Sequence, residues 1–250
     1  MIDMTERPTN TKRRIATYLV VGALAVVLNA LSFRTLDMPI VVGAASGLVW
    51  TLLAIPVATY VNRRRERLGH WPDTVVLLAA ADAAIVVGAG LLLDITFPDA
   101  ASYLAMNQTP AGPNHSFFYG LVNSPREWLL VPLAVLLNWH LPKRRRLLVI
   151  ALVVLYVERV ITYLYFAPTV LSWQDTTPAQ TTPALLEEVG RWLRLDMARS
   201  PVDWFLVAVL LFVVVAYPRV RGSGDPAAAL TSGSEEDAIA ETGVGGGSWR

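Results

Sequence analysis

Apolar residues in this chain come in long unbroken blocks, not in the 3.6- or 2-residue periods of half-buried helices and strands. The blocks cover 15–33, 40–61, 74–93, 127–141, 147–167 and 202–217. A helix rising about 1.5 Å per residue needs about 20 residues to cross roughly 30 Å of hydrocarbon. Blocks one, two, three and five meet that length. The fourth reaches it by extending back through 117–122, with Pro125 expected as a break. The sixth recruits Ser200 and Pro201 and reaches the interface with Trp204 and Tyr217. The pattern predicts an all-α fold, a polytopic helical membrane bundle of about six transmembrane helices, or five if the fourth is re-entrant. Ten-residue alternating segments, which would signal a membrane barrel, are not evident.

Composition agrees. The 250 residues are 54% hydrophobic and 16% charged, with a mean hydropathy of +0.45, too little charge to coat a soluble globule. The net charge of +1 says little; its placement says more. Arg7, Lys12, Arg13 and Arg14 precede the first block, Arg63, Arg64, Arg65 and Arg67 follow the second, and Lys143, Arg144, Arg145 and Arg146 follow the fourth. The connections between carry Arg34 and Arg126, or, in the last, arginines diluted by Asp175, Glu187, Glu188 and Asp196. Basic connections stay inside, which predicts an inner (plasma) membrane protein, multi-pass, with both termini cytoplasmic. Trp71 and Trp139 then flank the inner face, and Trp128, Trp173 and Trp204 the outer one, while Trp50 sits mid-span and is expected to pack between helices. The first block is long for a signal peptide and lacks a small-x-small site, so it reads as an uncleaved helix. Arginine dominates, with Lys12 and Lys143 the only lysines, an association with GC-rich bacterial genomes.

The expected organisation is a cytoplasmic basic tail (1–14), a transmembrane domain (15–221) with outer loops 95–126 and 168–201, and a disordered cytoplasmic tail (222–250) rich in Gly, Ser and acids. The second outer loop opens with a Thr/Pro run and then reads as a helix. Thr182 is its cap, Pro183 its first residue, and Glu187 and Glu188 lie in its early turns. Leu185, Val189, Trp192 and Leu193 make one greasy face, so this helix is expected to lie in the outer interface.

Ionisable groups inside spans are expensive and mark function. Asp82 sits among alanines in the third block, and Glu158 and Arg159 lie halfway along the fifth. Adjacent residues point about 100° apart on a helix, so Arg159 is expected to pair across the bundle with Asp82. Thr162 and Tyr163 continue the Arg159 stripe, and these five residues form the candidate buried polar site. It reads as an interhelical ion pair or as a polar pocket. His115 reads as a solvated loop residue, and His70 and His140 as interface residues. The Gly43 and Gly47 pair marks close helix packing, within the bundle or in a homo-oligomer. With no cysteine and no clustered histidines, the sequence offers no metal set. It has no nucleotide loop and no cofactor motif, and the basic runs are explained by topology without nucleic acid.

Residues 123–217 resemble the anthrone-oxygenase-like family of small membrane proteins, through Asn123-Ser124-Pro125-Arg126-Glu127-Trp128, Pro132, Arg144–Arg146, the run from Ile161 to Pro168, Trp192 and Arg199. The first two blocks also resemble small flippase-like proteins of glycan pathways, through Tyr18–Gly22 and Asn29. No active site carries over from either. The expected function is lipid or solute handling, or partnership in a membrane complex. The alternative is a small membrane-embedded enzyme, a cofactor-independent oxygenase or cyclase acting on a lipophilic substrate, with Asp82 or Glu158 as its acid.

Overall fold

A computed structural model describes residues 7–35, 39–64 and 67–217, with side chains from residue 19 onward. The basic side chains of the N-terminal tail, Arg65, and the C-terminal tail lie outside the described residues. Within them the fold is wholly helical: α1 Arg7–Thr35, α2 Ile40–Arg63, α3 Trp71–Thr96, α4 Ala100–Asn107, α5 Ala111–Pro125, α6 Val131–Leu137, α7 Pro142–Ile161, α8 Ala167–Gln174 and α9 Pro183–Ala216. A π-turn, Arg126–Leu130, joins α5 to α6, and another, Thr162–Phe166, joins α7 to α8. Among the described residues, four helices are long and apolar enough to cross a membrane: Ile40–Arg63, Trp71–Thr96, Pro142–Gln174 and Pro183–Ala216.

Local chemistry sets the helix starts. Pro72 occupies the first turn of α3, where a missing N–H costs nothing, and Asp73 beside it complements the positive end of the helix. Asp73 also holds Arg144 at 2.5 Å, a cation otherwise badly placed at the start of α7. Thr182 caps α9 by accepting from the Leu185 N–H, as expected.

Packing relies on small residues. A Cβ on Gly43 would lie 2.5 Å from the Asn29 carbonyl, and one on Gly47 would lie 2.7 Å from that of Ala25. Both glycines therefore let α2 lie directly on α1, and that contact occupies their face within the chain. Every residue of α6 is buried, the signature of a helix surrounded on all sides. Around it Ala79, Ala80, Leu148, Leu155 and Leu210 form an aliphatic core. A second core lies at the α4 end, where Tyr103, Phe166, Trp173, Val189 and Trp192 pack together.

Several expectations change. The stretch 95–126 is not a polar loop, since it folds into α4 and α5, with Asp99 capping α4 through the Ala101 and Ser102 N–H groups. Pro125 does not break its helix; the chain continues through the π-turn into α6. The helix from Pro183 does not lie apart from the last span. It runs unbroken through Pro201 to Ala216 over 34 residues, about 20 Å longer than the hydrocarbon it would cross. Its greasy face covers protein, not lipid: Val189 is fully buried and Trp192 nearly so. Trp173, expected at an interface, is 1% exposed inside the second core.

Candidate functional site

The two π-turns have one design. Each is followed by a proline at the same spacing, Pro132 after Arg126–Leu130 and Pro168 after Thr162–Phe166. The Val131 N–H reaches back five residues to the Arg126 carbonyl, and the Ala167 N–H likewise to Thr162. Proline then has no N–H for the next carbonyl, that of Glu127 or Tyr163. A hydroxyl from another helix replaces it in both cases. Tyr156 of α7 donates to the Glu127 carbonyl at 3.1 Å, and Thr35 of α1 to the Tyr163 carbonyl at 3.1 Å. Such rescue is how a membrane helix tolerates proline. It also aims the second residue of each turn at the other: the Tyr163 hydroxyl donates to Glu127 Oε2 at 2.6 Å.

Charges gather at this seam. Arg159 Nε lies 3.1 Å from Glu127 Oε1 and 2.7 Å from Glu158 Oε2, and its Nη2 lies 4.0 Å from Asp203. Glu158 Oε1 takes Arg199 at 2.5 Å and the Thr162 hydroxyl at 3.0 Å. Arg199 also donates to Thr162 and to Asp196, and stacks over Phe166 at 4.3 Å. Arg126, wholly buried, donates to Asn123 at 2.5 Å and lies 3.7 Å from Asp82. Ions so far from solvent persist only when paired.

Above this floor, between α3, α5, the α7–α8 rod and α9, is a cavity of about 200 Å³. Arg159, Tyr163 and Asp203 reach its base, Tyr103, Tyr119 and Trp192 its walls, and Val86, Val87 and Leu91 its apolar side. It exceeds the roughly 150 Å³ that accommodates a benzene ring.

The five candidate residues meet at this seam, but not with the expected partners. Arg159 does not pair with Asp82, which faces Arg126. Glu158, thought badly placed for its neighbour, is instead the closest partner of Arg159. His115 is not a solvated loop residue. It sits on α5, edge-on to Tyr119 at 4.8 Å, and both ring nitrogens are shut off from solvent without a partner. Sequence reasoning missed Arg126, Glu127, Asn123, Arg199 and Asp203. Asp203 lies at the start of the last apolar block, not within it as Asp82 does in the third. Arg126 and Glu127, at the edge of a block, looked like a membrane boundary.

No protein-family model, curated protein or solved structure matches this chain. The resemblance of residues 123–217 to the anthrone-oxygenase-like family therefore rests on those residues alone.

Proposed function

We propose that this chain is a six-span plasma-membrane protein, both termini cytoplasmic, that handles a small lipophilic or amphipathic molecule in the cavity above the Glu127–Arg159 floor. The cavity is the observation that carries this reading. Apolar and aromatic walls over a few convergent polar groups are the usual form of a small-molecule site, and buried charge in a membrane bundle marks a functional position. A binding role is favoured over chemistry because Glu127 and Glu158 are each held by arginine and a hydroxyl, which ties up the groups that would move protons. In this reading α1, α2, α3, α5–α6, α7–α8 and α9 are the six spans, with the basic connections after Arg63 and at Lys143–Arg146 on the cytoplasmic side.

A membrane-embedded enzyme is the second reading. Asp203, the floor carboxylate held most loosely at 4.0 Å, favours it as a group free to exchange a proton.

Gly90 gives the direct test. It lines the cavity, and a Cβ there would meet only the Tyr119 hydroxyl, at 3.8 Å. Gly90→Leu should fold and fill the space, and native mass spectrometry should show a retained small molecule on the unaltered purified chain and none on the variant. Equal occupancy in the variant would contradict the reading. Reporter fusions after Arg145 and near Thr177 should report cytoplasm and exterior respectively, and an external signal at Arg145 would break the six-span topology.

A further inference from the structure

Charges around the cavity do not balance. Arg126 faces Asp82, Arg159 faces Glu127 and Glu158, and Arg199 faces Glu158 and Asp196. These three arginines meet four of the carboxylates closely, with Asp203 a fifth at the 4.0 Å limit. Asp94, on the cavity wall, has no ion pair among the described residues, and the charge beside it is another carboxylate, Asp196. Of the charged groups that line the cavity, Asp94, Asp196 and Asp203 outnumber Arg159 and Arg199, so the site as built disfavours an anion and has room for one more cation.

An independent observation points the same way. Tyr103 is completely buried and lines the cavity, and among the described residues its hydroxyl closes no full hydrogen bond, with only a loose approach from the Asn107 side chain. Its ring is fixed by stacking on Trp192 at 5.5 Å and meeting the edge of Trp173 at 6.2 Å, so the hydroxyl cannot swing away to find one. It lies within the field of Asp94 and Asp196. His115, on the same cavity, has two ring nitrogens in the same unpartnered state. A buried hydroxyl or imidazole left without a partner costs free energy, so these groups are arranged for something the protein alone does not supply. A carboxylate, a phenol oxygen and an imidazole nitrogen can each accept. A primary ammonium has three N–H donors and no acceptor.

We propose that the cavity binds a primary organic ammonium, its nitrogen among Asp94, Tyr103 and His115 and its apolar body against Val86, Val87 and Leu91. This deepens the binding reading above and rests on it. The ammonium can come from a free amine or from an ethanolamine lipid headgroup, which share this chemistry.

The test uses the full chain in maltoside micelles, titrated calorimetrically with 2-phenylethylammonium, 2-phenylethanol and 3-phenylpropionate. The ammonium should bind at least tenfold more tightly than the alcohol, and the carboxylate should not compete. Asp94→Asn, which breaks no ion pair, should keep its melting temperature and lose at least tenfold in ammonium affinity, and Tyr103→Phe should lose several-fold. Equal affinity for the alcohol, tighter binding of the carboxylate, no ammonium binding at millimolar concentration, or an unchanged Asp94→Asn would each overturn the proposal. The comparison of the three ligands on the unaltered chain stands even if a variant fails to fold. Native mass spectrometry from mixed-lipid nanodiscs separates the sources. Retained phosphatidylethanolamine displaced by 2-phenylethylammonium identifies the headgroup, and ammonium binding with no retained lipid identifies a free amine. If an amphiphile is retained and lost in Gly90→Leu while the ammonium does not bind, the ammonium class fails and the binding cavity stands.

Discussion

Around α6 the bundle interior is closed mainly by aliphatic side chains, whereas at the α4 end rings and ions surround a cavity of about 200 Å³. Both ends are built from the same rods. The change happens within a turn or two, at the π-turns, where proline removes a backbone donor and a hydroxyl from another helix replaces it. The Tyr156 rescue lies in the closed half, since Tyr156 is 4% exposed. The Thr35 rescue lies on the cavity wall. One covalent device thus serves two environments, and the difference between them is access to water.

The largest effect should come from the floor. Arg159→Ala leaves Glu127 without its closest cation, while Glu158 keeps Arg199, and removing one member of a buried ion pair typically costs about 3–5 kcal/mol. The loss in a detergent unfolding titration should fall in that range, and Arg159→Ala with Glu127→Ala should cost less than the two singles summed. The same cycle should give strong coupling for Asp82 with Arg126 and weak coupling for Asp82 with Arg159. The reverse order would break the network described.

Next, the closed half should be sensitive to lost volume and the open half should not. Leu148 is fully buried, so Leu148→Ala should cost about 2–5 kcal/mol. Leu91, 44% exposed on the cavity side, should cost under about 0.5 kcal/mol as Leu91→Ala. Similar values at the two sites would erase the distinction.

The two proline turns sharpen it further. Tyr156→Phe leaves the Glu127 carbonyl without a donor in a dry interior, at about 1–3 kcal/mol. Thr35→Ala leaves the Tyr163 carbonyl bare beside the cavity, where water can take the place of the hydroxyl, and should cost under about 1 kcal/mol.

The smallest effect concerns α4. The Ser102 backbone N–H, with that of Ala101, holds the Asp99 carboxyl below its ordinary value, and a carboxylate lowered in the folded state stabilises above its unfolded value of about 3.9 and loses that contribution as pH falls through its folded one. Asp99→Ala should lower the melting temperature slightly at pH 7, and the gap should close toward pH 3. A gap that widens on acidification would be the wrong sign.

Much of the fold was legible because lipid imposes a local pattern: a block of some 20 apolar residues is a helix whatever its neighbours do. The partners of Arg159 were not legible, since which helices meet depends on rotation about each axis. Asp82 was a reasonable guess from depth alone. Arg126 and Glu127 were misread because charge beside an apolar block ordinarily marks the water interface, and here it marks the middle of a helix that began at Ala111. A usable signal existed in the matched spacing from Arg126 to Pro132 and from Thr162 to Pro168. The cavity itself lay beyond sequence reading, since Tyr103, His115 and Asp94 come from three separate helices.

The contrast between an open charged end and a closed aliphatic end is tested most directly by thiol labelling, because the chain has no cysteine. Ser116→Cys would lie on the cavity and Ala134→Cys in the fully buried α6. In sealed vesicles of right-side-out orientation, a membrane-impermeant maleimide should modify the cysteine at 116 and leave that at 134 unreacted until the protein is denatured. Modification of both sites at similar rates, or of 134 alone, would contradict the division of this bundle into a dry core and an accessible polar cavity.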